Sequence, residues 1–235
     1  MTAQPQKGAV NRFRSGEELR MRELVVPELR KRWPAARIVH ELPLRYSSNR
    51  IDLAAVTAGE IVSVEIKSSR DVMDRLEAQL RAFEPISART IVALAPKWNE
   101  QLPMLETKKE FSTSFTPQHT EAQRLIATIS SAIEIWTVDA DAGTVVVTHG
   151  GAYRSARPWL AQMLHMLHVS ELVEIAHAHR IAVPKRPTHH TLSGDLCDLL
   201  QGREVVGAVC AALRSRAAFD KASDAPVTLI KEAAE

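Results

Sequence analysis

Two short β-rich runs, IDLAAV (51–56) and IVSVEIK (61–67), flank Thr57-Ala58-Gly59-Glu60, and no other feature of the chain constrains its fold as strongly. Runs of this kind on either side of a Gly-containing tetrapeptide form an antiparallel hairpin. Whether the loop takes two residues or four, Ala55 faces Val62 and Asp52 faces Glu65. Side chains alternate along a strand. Arg50, Asp52, Ile61, Ser63, Glu65 and Lys67 therefore share one face, and Val62, Val64 and Ile66 take the other.

Two carboxylates then meet across a strand pair, with Cβ atoms about 4.5–5.5 Å apart, and like charges so placed are destabilising. Something must offset the repulsion. A Mg²⁺ or Mn²⁺ ion does so: it takes oxygen ligands, and two carboxylates with one backbone carbonyl leave positions for a phosphate and a water. Lys67 lies one step further along the same face, where an ammonium orients water and neutralises charge on a phosphate. The same residues also fit a solvated sheet face with Asp52–Lys67 and Arg50–Glu65 as diagonal ion pairs.

Around this hairpin the elements follow from periodicity. Gly16 to Trp33 carries a helical stripe of Leu19, Val26, Leu29 and Trp33, in which Pro27 predicts a kink or a break. RIVHELPL (37–44) is a strand, followed by the turn YSSNR. After the hairpin, Ser68 and Ser69 are placed to cap a helix with the stripe Met73, Leu76, Leu80 and Phe83, and TIVALA (90–95) is the next strand. The order is α-β-β-β-α-β.

A polar stretch at 97–118 and a short helix near 119–130 come before a second hairpin, IEIWTV (133–138) and TVVVTH (144–149), around Asp139–Gly143. From Pro158 onward only helices are predicted, near 158–180, 192–201 and 203–217, with breaks at 184–187 and at Gln201-Gly202. This gives a flexible N-terminus at 1–11, an α/β domain at 12–152, a helical domain at 153–217 and a flexible tail at 218–235.

Composition narrows the partners. The chain carries 30 Lys and Arg against 28 Asp and Glu, so any charge-driven binding must be local. The basic excess lies at the front: Arg12 to Arg50 holds 10 basic and 5 acidic side chains. Two cysteines, Cys197 and Cys210, are too few for a disulfide scaffold and suit a reducing cytoplasm. No apolar run is long enough for a membrane span.

The string HELPL, RIDLAAV, EIKSSRD and RLEAQLRAF resembles the PD-(D/E)XK nuclease superfamily, in particular a bacterial and phage group with E-L, R-x-D, E-I-K-S-x-x-D and R-L-x-x-Q elements. The resemblance covers residues 37–96. It implies a restriction-endonuclease-like core, a mixed sheet in α-β-β-β-α-β order, with an added C-terminal α-helical domain. It also implies Mg²⁺ held by Asp52, Glu65 and the Ile66 carbonyl, with Lys67 assisting the water. Glu41, in the E-L element, would reach the metal through a water or hold a second ion. A helical Glu is a further supporting residue, and Glu17, Glu18 and Glu23 compete for that role. Gln79 and Arg75, four apart on the helix after the triad, would flank the site, and Arg50 and Arg70 would contact nucleic acid.

The activity so implied is metal-dependent DNA hydrolysis in DNA repair or in phage or mobile-element DNA processing, by a homodimer or a larger nucleoprotein assembly. The alternative is a nuclease-like nucleic-acid-binding or protein-interaction module without turnover. His165, His168, Glu171, Glu174 and His177 recur every three residues, which drifts around a helix and precludes one shared metal-binding face. The helices around Gly194 and Gly202 leave room for a helix-turn-helix, without a basic recognition face.

Overall fold

A computed structural model describes residues 15–45, 47–101, 133–150, 158–217 and 219–228. The N-terminal 1–11 segment, the polar stretch from 102 on, the helix near 119–130 and the domain boundary near 153 lie outside the described residues. Six strands form one mixed sheet in the order β1 (Arg37–Pro43), β2 (Arg50–Val56), β3 (Ile61–Lys67), β4 (Arg89–Leu94), β5 (Ile133–Asp139), β6 (Thr144–His149). Strands β1, β2 and β3 are an antiparallel meander, β3–β4 and β4–β5 are parallel, and β5–β6 is the second hairpin. Helix α1 (Gly16–Arg32) precedes the sheet, and α2 (Leu76–Phe83) makes the crossover from β3 to β4.

The first hairpin has the register expected of it, Val56 opposite Ile61 and Leu53 opposite Val64, closed by a four-residue loop. All seven residues of β3 are buried. This is what a central strand covered on both faces requires, and it carries Ser63, Glu65 and Lys67 into the interior with the valines.

Three local expectations are corrected. Helix α1 runs unbroken through Pro27, which is exposed, so water can serve the backbone carbonyl that a proline leaves without its helical donor. Its buried side is Glu18, Met21, Arg22, Val25 and Leu29 rather than the Leu19–Val26 line, because two charged residues share the inward face. Ser68 and Ser69 do not cap α2, which starts only at Leu76. Instead both the Ser68 backbone N–H and its hydroxyl donate to Asp71, while Ser69 donates to Glu17, pinning the loop beneath the β3 end to α1.

The predicted 158–180 helix is two helices, α3 (Leu160–Leu164) and α4 (Val169–Ala178), separated where His168 caps α4 and its N–H donates to Glu171 at 2.6 Å. Helices α5 (His189–Leu199) and α6 (Gly202–Ser215) follow. Their apolar residues Leu192, Leu196, Val205, Val209 and Leu213 belong to one hydrophobic cluster with the sheet.

Residues 219–228, expected to be loose, are seated on β1. The Asp224 N–H donates to the Ile38 carbonyl at 2.9 Å, Ile38 N–H donates to the Asp224 carboxylate at 2.8 Å, and His40 N–H donates to Ser223 Oγ at 2.9 Å. Buried Arg37 fastens this end. Its Nη1 donates to the carbonyls of Leu213, Arg214 and Arg216 at the end of α6, and its Nε and Nη2 to the carbonyl of Asp224. One guanidinium thus serves carbonyls that a helix end leaves without partners. Among the described residues no helix is long and apolar enough to cross a membrane.

Candidate functional site

At one end of the meander, α1, β1, β2, β3 and α2 enclose a polar cleft of about 200 Å³. Each element supplies a charged or amide side chain: Glu18, Glu41, Asp52, Glu65 with Lys67, and Gln79. The strand pairing of the first hairpin ends at Leu53 and Val64, and the Asp52 carboxylate extends it by accepting the Ile66 N–H at 2.8 Å. Asp52 and Glu65 both line the cleft near the mouth of the hairpin, close enough for the Asp52 charge to act on Glu65.

The repulsion between them has an internal remedy that periodicity did not reveal. Arg22, only 1% exposed, projects from α1 into the acids. Its Nη2 lies 2.9 Å from Glu18, 2.8 Å from Glu41 and 2.9 Å from Asp52, and its Nη1 donates to the Asp52 carbonyl at 2.6 Å. Among Glu17, Glu18 and Glu23 it is Glu18 that enters the site, held by the i,i+4 spacing to Arg22, while Glu17 binds Ser69 and Glu23 is exposed. Glu41 reaches the guanidinium from a left-handed backbone, φ 54°, in the middle of β1. A non-glycine residue held there carries strain, and such strain is found where surroundings fix a side chain's aim.

Lys67 closes the other side. Its Nζ donates to Glu65 Oε1 at 2.9 Å and to Gln79 Oε1 at 2.8 Å, and Gln79 Nε2 donates back to Glu65 Oε1 at 2.5 Å. The three side chains form a closed ring. The diagonal pairs Asp52–Lys67 and Arg50–Glu65 are replaced by Arg22–Asp52, Lys67–Glu65 and a looser Arg50–Glu41 contact at 3.5 Å. Arg75, exposed at the start of α2, lines the cleft, as does Arg50. Arg70 does not. It lines a separate depression with Arg20 and Lys97, beside the start of α1.

Burial and the adjacent Asp52 charge push the Glu65 carboxyl up to about 8, against the pull of Lys67. Burial also raises Asp52, to about 6, although Arg22 and the Ile66 N–H favour its charged form. Two carboxyls raised together in one cleft mark a place where negative charge is crowded and a cation would be welcome. The donor set suits a hard divalent ion. Asp52 and Glu65 offer oxygens, and Glu65 Oε2 is buried without a hydrogen-bond partner among the described residues. Among the described residues, Glu18, Glu41 and Asp52 are the one group of three or more acids, histidines or cysteines whose ligand atoms all lie within 4.8 Å of one another. The described C-terminal histidines form no such group; the rings of His165 and His189 lie tilted at 54° to each other with centroids 4.9 Å apart.

Residues 12–104, from α1 to the short helix after β4 (Pro96–Gln101), match the model of the family described as bacteriophage P4 protein cII. That stretch contains every residue of the cleft. Among curated proteins none matches this chain. A solved structure, a protein of unknown function from Silicibacter pomeroyi, is similar at 16% identity and a TM-score of 0.39, over 72% of this chain and 90% of that one.

Proposed function

We propose that this protein is a metal-dependent deoxyribonuclease of the PD-(D/E)XK kind, with a restriction-endonuclease-like core formed by α1, the β1–β3 meander, α2 and β4. The observation that carries the reading is the meeting of Asp52, Glu65, Lys67 and Gln79 in one polar cleft, with a buried Glu65 oxygen that has no hydrogen-bond partner among the described residues. Asp52, Glu65 and the Ile66 carbonyl would hold Mg²⁺ or Mn²⁺. When bound, the ion supplies positive charge for the scissile phosphate and a more acidic water. Lys67 holds its ammonium against Glu65 and can neutralise charge growing on the phosphate. Gln79 keeps Lys67 and Glu65 in register through one amide. Arg50 and Arg75, at the rim, can contact backbone phosphates without reading sequence. The family's description as a bacteriophage protein supports phage or mobile-element DNA as the setting.

The test is cleavage of linear, branched, single-stranded and circular DNA with Mg²⁺ or Mn²⁺. Wild type should cut at least one form, and Lys67→Ala should bind DNA nearly as well while cutting it orders of magnitude more slowly. One observation favours the second reading, a nuclease-like binding module without turnover: Arg22 already pairs with three of the five carboxylates that line the cleft. DNA binding with no cutting of any of the four forms would decide for that module.

A further inference from the structure

We infer that Arg22 permanently takes the place of one cation, so that the cleft accepts a single divalent ion, on Asp52 and Glu65, and Glu18 and Glu41 are ligands of the guanidinium. The inference rests on the metal-site reading above and refines it. A guanidinium Nη carries two hydrogens. Yet Arg22 Nη2 has three carboxylate oxygens at 2.8–2.9 Å. Three anionic acceptors around a two-proton nitrogen are gathered by charge more than by direction, which is how ligands gather around an ion. The same three residues offer ligand atoms within 4.8 Å of one another, the arrangement a metal would need.

Arg22 is not placed to step aside. Its Nε donates to Glu18 at 3.2 Å, its Nη1 to the Asp52 carbonyl at 2.6 Å, and the side chain is 2% exposed. The strained backbone of Glu41 points its carboxylate at this nitrogen. At Glu65, which lines the same cleft, the situation differs, because its Oε2 is buried and has no partner among the described residues. That oxygen is the independent sign of a missing ligand.

The experiment counts Mn²⁺ bound per full-length chain, by calorimetry and by the electron paramagnetic resonance of bound ion, without DNA. Wild type should bind one ion, Arg22→Lys one, and Arg22→Ala two, the second filling the vacated acids. Should Arg22→Ala fail to fold by circular dichroism, a variant carrying Glu18→Gln and Glu41→Gln decides, since it should keep one ion while Glu65→Gln loses it. Two ions in wild type, an unchanged count in folded Arg22→Ala, or loss of the ion in the Glu18 and Glu41 variant would each overturn the inference. So would a wild type that binds none while Arg22→Ala binds one. A wild type that binds one Mn²⁺ and cuts no DNA ends the nuclease reading and leaves this one standing.

Discussion

Glu65 is the residue whose proton responds most to its neighbours, and its shift carries a sign that can be checked. A carboxyl raised from 4.5 to about 8 binds more protons in the folded than in the unfolded chain across that interval. The metal-free protein should therefore lose stability as pH rises from 4.5 towards 8, and Glu65→Gln should flatten that slope in urea titrations at several pH values. Mn²⁺ binding should tighten over the same range, because the ion displaces the proton. Glu41 makes a second residue-scale case. Glu41→Ala and Glu41→Gly both lose the contact with Arg22, but only glycine tolerates φ 54°. The glycine variant should be the more stable by about 1 kcal/mol in the same titrations. Arg22 itself was not legible in the sequence. A helical arginine ordinarily faces solvent, and nothing in its spacing tells that three acids from separate elements will surround it.

Elements were legible where one physical rule determined them. Strand alternation and loop length fix the parity of the β2–β3 hairpin, so the register from Val56–Ile61 to Leu53–Val64 is legible in the sequence. Helix α1 was harder, because a stripe that includes Glu18 and Arg22 breaks the apolar count that locates a buried face. The start of α2 is hidden for a related reason: a serine can cap a helix or hold a loop, and here Asp71 and Glu17 claim both serines for the loop. Two element-scale outcomes follow. Pro27→Ala should raise stability by about 1 kcal/mol, because alanine restores a helical N–H at an exposed site. Gln79→Ala should leave the melting temperature nearly unchanged while lowering DNA cleavage strongly, since the amide joins Lys67 to Glu65 at the edge of α2. Equal cleavage by Gln79→Ala and wild type would make α2 scaffold alone.

Across the whole molecule, the C-terminal helices and the sheet share a hydrophobic cluster, joined by the Arg37 clasp between α6, residue 224 and β1. No motif marks residues 219–228 as structured, because their hold on β1 comes from partners that are distant in sequence. A chain ending at residue 217 should melt lower and self-associate in light scattering, because the outer backbone of β1 would lie open to another strand. That seat on β1 also bears on synthesis. The cleft draws on residues 18 to 79 and leaves the ribosome early, whereas the cover of β1 is made some 140 residues after the cleft is complete. Through that interval the nascent chain displays an acid-rich cleft beside an uncovered strand edge, which is the window in which two growing copies, or a copy and a chaperone, would meet.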